Sequence, residues 1–179
     1  EALRLQLLLD INNADINDRK QSRLFYGTQS AGNLFKRNES SFKALELGLK
    51  EAISKYYDLY KNEDCEFIKS FPKQIEFSSS WFVKMQSGGH LTSHIHEDGW
   101  ISGAIYLSIP KKTKTQDEGA IELSTHGDDY PIINDDFPKK VIKPKEGDVI
   151  FFPSSVFHRT IPFESDEERI CIAFDLKPS

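Results

Sequence analysis

From Pro72 to its end the chain breaks into short apolar runs, each closed by a turn signal, with no helical period between them. The runs are Trp81 to Met85, His90 to His96, Ile101 to Ile109, Ala120 to Ser124, Val149 to Phe152, Val156 to Ile161 and Ile170 to Leu176. Gly88-Gly89, Asp98-Gly99, Lys111 to Gly119, Gly127 to Asp129, Glu146-Gly147-Asp148 and Glu164 to Glu168 punctuate them. Strands this short, with no helix to cross between parallel neighbours, predict an antiparallel sandwich or barrel rather than a βαβ fold.

Upstream the pattern is helical. Glu1 to Asp10 is a short leucine-rich helix, a polar segment runs from Asn12 to Arg23, and Leu24 to Phe35 follows with Gly27 and Gly32 as breakers. The strongest helix spans Ser40 to Tyr60. Phe42, Leu45, Leu49, Ala52, Ile53 and Tyr56 recur there at three- and four-residue steps, opposite Lys43, Glu46, Lys50 and Lys55. Such a stripe needs a broad apolar surface to cover. The expectation is an α+β plan in one compact domain, with a helical support region over 1–72 and a β core over 73–179.

Composition narrows the function. A net charge of −5 gives no electrostatic argument for nucleic acid. No apolar run approaches the roughly 20 residues of a membrane span. Cys65 and Cys171 are the only cysteines and no spacing pairs them, which predicts a reducing, cytoplasmic setting. The chain opens on Glu1 with no signal-peptide pattern, as expected for part of a longer protein.

Of five histidines, His90, His94 and His96 share one short run, and His158 sits in a distant apolar stretch. On a strand His94 and His96 point to the same face. With His158 arriving from another strand they make a facial set of nitrogen ligands, suited to iron, zinc, copper or nickel. His90 is expected at the cavity edge rather than as a ligand, His126 as a loop residue and Trp100 in the core. The irregular stretch from His126 to Lys140 is expected over the site mouth.

Arg169 adds a second constraint. His158 and Arg169 flank Glu164 to Glu168, and a fold-back there would set them opposite each other on paired strands. Cys171 and Ala173 share the face of Arg169, whereas Ile170, Ile172 and Phe174 take the other. One side of this strand packs and the other leaves room. An inward arginine among small residues is costly unless an anion meets it. Metal-binding histidines beside it suggest an organic acid that chelates the metal and sets its far carboxylate on the guanidinium.

The succession Ser87-Gly88-Gly89-His90-Leu91-Thr92-Ser93-His94-Ile95-His96, Ser102-Gly103-Ala104-Ile105-Tyr106-Leu107, Gly147-Asp148-Val149-Ile150-Phe151-Phe152-Pro153, His158 and Arg169 resembles the 2-oxoglutarate/iron(II)-dependent oxygenase superfamily. It is most similar to a bacterial branch with His-x-His and a late Glu-Arg-x-x-x-x-Phe-Asp. The resemblance covers about Ser80 to Lys177. It implies a double-stranded β-helix (a cupin-like jelly roll) with N-terminal helices on one sheet. It also implies Fe(II) and 2-oxoglutarate as cofactor and cosubstrate, dioxygen as co-reactant, and hydroxylation of an unidentified substrate. Relatives often carry tetratricopeptide repeats upstream, which implies an upstream repeat domain.

By position, His94 and His158 match the iron histidines and Arg169 the anchor of the far carboxylate. The superfamily usually has Asp or Glu two residues after the first histidine; here His96 stands there. The set is then His94, His96 and His158, or the register shifts to His96 and Asp98. Tyr106 and Ser102, on one face of a central strand, are candidate cosubstrate contacts. The serine usual two residues after the arginine is Cys171. Two other readings stay open: a three-histidine cupin-like metalloenzyme acting without 2-oxoglutarate, and a non-catalytic metal-binding module.

Overall fold

The computed structural model describes residues 1–134 and 136–179. Among these described residues, helices α1 (Ala2–Asn13), α2 (Ser40–Tyr60) and α3 (Glu66–Lys69) accompany nine strands. These are β1 (Asp18–Arg19), β2 (Leu24–Ser30), β3 (Ile75–Leu91), β4 (Ile101–Ser108), β5 (Ile121–Ser124), β6 (Lys139–Ile142), β7 (Val149–Pro153), β8 (Phe157–Thr160) and β9 (Arg169–Pro178). A six-stranded sheet has the order β1-β2-β3-β9-β4-β7, and a three-stranded sheet the order β6-β5-β8. Every pairing is antiparallel. The two sheets face each other across a cavity, as a double-stranded β-helix.

Strand β9 shows how sequence period becomes layering. Ile170, Ile172, Phe174 and Leu176 fill the layer between the large sheet and the helices, each 5% exposed or less. At about 1.5–3 kcal/mol for each fully buried side chain, this row alone fixes which way the strand faces. Arg169, Cys171 and Ala173 line the cavity on the other side. Helix α2 covers the outer layer with Phe42, Leu45, Leu49 and Ile53, and turns Leu47 and Leu59 to solvent. Helix α1 has leucines all round and buries only Leu7 and Ile11. Trp100 packs on the same core, stacked on Phe67 with ring centroids 5.5 Å apart.

Three expectations are corrected. Leu24 to Phe35 is not helical: β2 joins the large sheet beside β3, followed by a 3-10 turn over Leu34–Lys36. Gly27 is there for close approach, since a Cβ would lie 2.5 Å from the Lys84 carbonyl. The run His90 to His96 is not one strand: β3 ends at Leu91, and beyond it only His94 is bridged, to His158. Finally, His158 and Arg169 do not form a hairpin. Strand β8 pairs with β5, whereas β9 inserts between β3 and β4. The connection over 161–168 is too long for a tight turn; it crosses from one sheet to the other and buries Phe163 on the way.

Candidate functional site

The bridge between His94 and His158 builds the centre. The amide of His94 donates to the carbonyl of His158 at 3.1 Å, and the return bond is 2.9 Å. Directly opposed residues put their side chains on one face, and the two rings lie 4.3 Å apart. His96 is held by its own amide, which donates to the Ser154 carbonyl at 3.1 Å. Its ring is 5.3 Å from His94 and 4.9 Å from His158. One nitrogen from each ring lies within 4.8 Å of the others.

The hydrogen bonds behind the rings match this role. Nδ1 of His94 donates to the Thr92 carbonyl at 2.7 Å, and Nδ1 of His158 to the Val156 carbonyl at 3.2 Å. Nδ1 of His96 donates to Asp175 Oδ1 at 2.5 Å. An oxygen acceptor at Nδ1 selects the tautomer whose Nε2 keeps its lone pair, as metal-bound histidines require. Burial pushes the pKa of His94 down to about 4 and that of His158 well below the ordinary histidine value. Both rings are therefore neutral near pH 7, with a lone pair available to a metal. Three imidazoles with open space beside them fit a divalent transition metal.

Asp98 lies in an exposed turn outside this cluster. His90 stacks on Phe25 at 4.9 Å and donates from Nδ1 to Gly88, away from the cavity. His126 stacks on Phe137 and meets the Tyr130 carbonyl, which ties its own loop together. That loop is pinned near the centre, because Arg23 holds Asp128 in a two-pronged pair and also donates to the Ser93 carbonyl. Asp135, within the stretch expected over the mouth, lies outside the described residues.

Arg169 is 2% exposed. Its Nε donates to the Gly119 carbonyl at 2.9 Å, and Nη1 approaches only the sulfurs of Met85 and Cys171, at 3.9 and 3.8 Å. The guanidinium lies 5.0 Å over the Tyr106 ring, whose hydroxyl is pushed up to about pKa 12 by burial. Among the described residues no carboxylate pairs with this cation. It borders a mostly apolar cavity of about 80 Å³ that reaches His94, His96 and His158. Ser102 also lines the cavity, but its hydroxyl serves the histidine end, bonded to Asp175 at 2.6 Å and Ser154 at 2.8 Å.

Sequence reasoning missed several wall residues. A second, more open cavity of about 280 Å³ shares His94 and His96 and is lined by Arg19, Gln21, Gln29 and Trp81. Gln21 comes from the segment read only as polar and Gln29 from the run expected to be helical, so no strand period pointed to them. Asp175 did carry a signal, standing six residues after Arg169 on the same face.

Comparison with known proteins agrees with this fold. A Pseudomonas putida prolyl-4-hydroxylase superposes with a TM-score of 0.64 at 13% identity, covering 99% of this chain and 85% of that one. HygX from Streptomyces hygroscopicus, solved with nickel, 2-oxoglutarate and hygromycin B, gives 0.66 at 10% identity, with 100% and 79% coverage. The viral collagen prolyl hydroxylase of Paramecium Bursaria Chlorella virus-1, solved as a 2OG complex, gives 0.60 at 14% identity, with 100% and 92% coverage. No curated protein matches by sequence. The family model described as "Putative 2OG-Fe(II) oxygenase" matches residues 79–175, more than half of the chain. On that match the chain belongs to the 2-oxoglutarate/Fe(II) oxygenases, oxidoreductases that use iron and 2-oxoglutarate.

Proposed function

We propose that the protein hydroxylates a substrate at a centre held by His94, His96 and His158, with 2-oxoglutarate anchored on Arg169. The observation that carries this reading is the buried guanidinium with no carboxylate partner among the described residues. A charge removed from water demands a counter-charge, and a dicarboxylate reaching from the histidines supplies one. Iron(II) and 2-oxoglutarate, when bound, would supply the oxidation, with one oxygen atom of dioxygen ending in a substrate C–H bond and the other in succinate as carbon dioxide is lost.

The chain's own groups do the rest. His94, His96 and His158 occupy one face of the site and leave the other for exchangeable ligands. Arg169 sets the depth of the cosubstrate through a charge-assisted pair, and the Tyr106 hydroxyl stands beside it as a further donor. The apolar walls around Val83, Ile121 and Ala173 exclude water from that end. The primary substrate approaches through the outer cavity lined by Gln21, Gln29 and Trp81. Residues 73–179 hold the ligands and the anchor, while 1–72 support them and lend those two glutamines.

The test is conversion of 2-oxoglutarate to succinate by the Fe(II)-loaded protein, with calorimetric binding of 2-oxoglutarate to the Ni(II)-loaded protein. Micromolar binding that Arg169→Leu abolishes is the expected result. Full metal loading without affinity for 2-oxoglutarate would reject the reading in favour of a metalloenzyme that works without this cosubstrate.

A further inference from the structure

His96 stands where a ligating carboxylate is usual, so three neutral imidazoles leave a divalent ion one negative charge short. The structure holds a carboxylate directly behind that substitution. Asp175 lies near the end of β9, on the cavity face that also carries Arg169, Cys171 and Ala173. Its Oδ1 accepts from His96 Nδ1 at 2.5 Å and from Ser102 Oγ at 2.6 Å, and its Oδ2 from Ser79 Oγ at 2.9 Å. The side chain is 13% exposed, and no Lys or Arg among the described residues pairs with it. His94 and His158, by contrast, lean on neutral backbone carbonyls.

We propose that Asp175 is a positioning residue that supplies through His96 the negative charge a ligating carboxylate would supply directly, with Ser79 and Ser102 fixing its orientation. A carboxylate on the far nitrogen makes an imidazole a stronger donor and locks its ring. The charge is thus displaced one residue outward from the metal rather than lost. The two hydroxyls matter because they hold the carboxylate in line without neutralising it. This inference rests on the three-histidine reading above.

The test is titration of metal-free protein with Co(II), followed by visible absorption and calorimetry. Asp175→Asn keeps the volume and an acceptor oxygen but removes the charge, and should weaken Co(II) binding by about 10–100-fold, the usual effect of losing such an outer partner. The decisive comparison is the same change in a His96→Asp background. There a carboxylate ligates directly and no imidazole relays the charge of Asp175, so Asp175→Asn should leave Co(II) affinity within about threefold. A purely structural role predicts loss in both backgrounds. Thermal melting of the metal-free forms checks that each variant is folded. Equal Co(II) affinity of wild type and Asp175→Asn, or an equal loss in both backgrounds, overturns the inference while leaving the metal site intact. Absence of any Co(II) binding by the wild-type protein overturns the three-histidine reading itself, and the inference with it.

Discussion

Replacing Arg169 by leucine should do two opposite things. In the metal-free protein the guanidinium is buried, with one good hydrogen bond to Gly119, two long contacts to sulfur and an aromatic face. Removing it orphans the Gly119 carbonyl, at about 1–3 kcal/mol. It also relieves a buried cation without a counter-ion, and replacing buried charges with apolar groups often gains about 1–4 kcal/mol. These nearly cancel, so the stability of metal-free Arg169→Leu should stay within about 2 kcal/mol of wild type. Cosubstrate binding has no such offset. Losing one partner of a buried charge pair costs about 2–5 kcal/mol, and at 1.4 kcal/mol per decade that is roughly 30- to 4,000-fold in Kd. Urea denaturation measures the first quantity and calorimetry of the Ni(II)-loaded protein the second. A variant that still binds 2-oxoglutarate within threefold of wild type would refute the anchor. A stability loss beyond about 4 kcal/mol would show the guanidinium to be satisfied within the fold, removing the argument that it awaits an anion.

Acid should destabilise the metal-free protein through its buried histidines. The pKa of His94 is pushed down to about 4 from the unfolded value of 6.5, so between those limits the unfolded chain binds more protons and stability falls as pH falls. The whole window is worth up to about 3 kcal/mol for this group; His158 acts in the same direction, and His94→Gln should flatten the urea midpoint between pH 7 and pH 4.5. Ile172 is fully buried between sheet and helices, so Ile172→Ala should cost about 2–5 kcal/mol by the same denaturation. Gly99 abuts the histidine end, where an added Cβ would lie 2.4 Å from Ser154 Oγ. Gly99→Ala should lose about 1–3 kcal/mol as an overpacked site and weaken Co(II) binding, and Ser154→Ala should restore part of both. Loss of either His94 or His158 as alanine should abolish stoichiometric Ni(II) uptake by elemental analysis, whereas His90→Ala should leave it unchanged.

What the amino-acid order settled by itself are the features set by backbone period. Alternation along β9 decides that Ile170, Ile172 and Phe174 face one layer while Arg169, Cys171 and Ala173 face another, because a strand repeats every two residues whatever it pairs with. The stripe on α2 is fixed in the same way, and the histidine pattern with its distant arginine was enough to suggest the chemistry. Pairing partners are a different matter. That β9 inserts between β3 and β4, that Leu24–Ser30 forms a strand, and that His158 meets His94 rather than Arg169 all depend on which distant surfaces bury each other best. The placement of Asp175 behind His96, and the want of any anion beside Arg169 among the described residues, belong to that second class. Local geometry is determined within a few residues, but burial and hydrogen-bond satisfaction are settled only once separate segments compete for the same space.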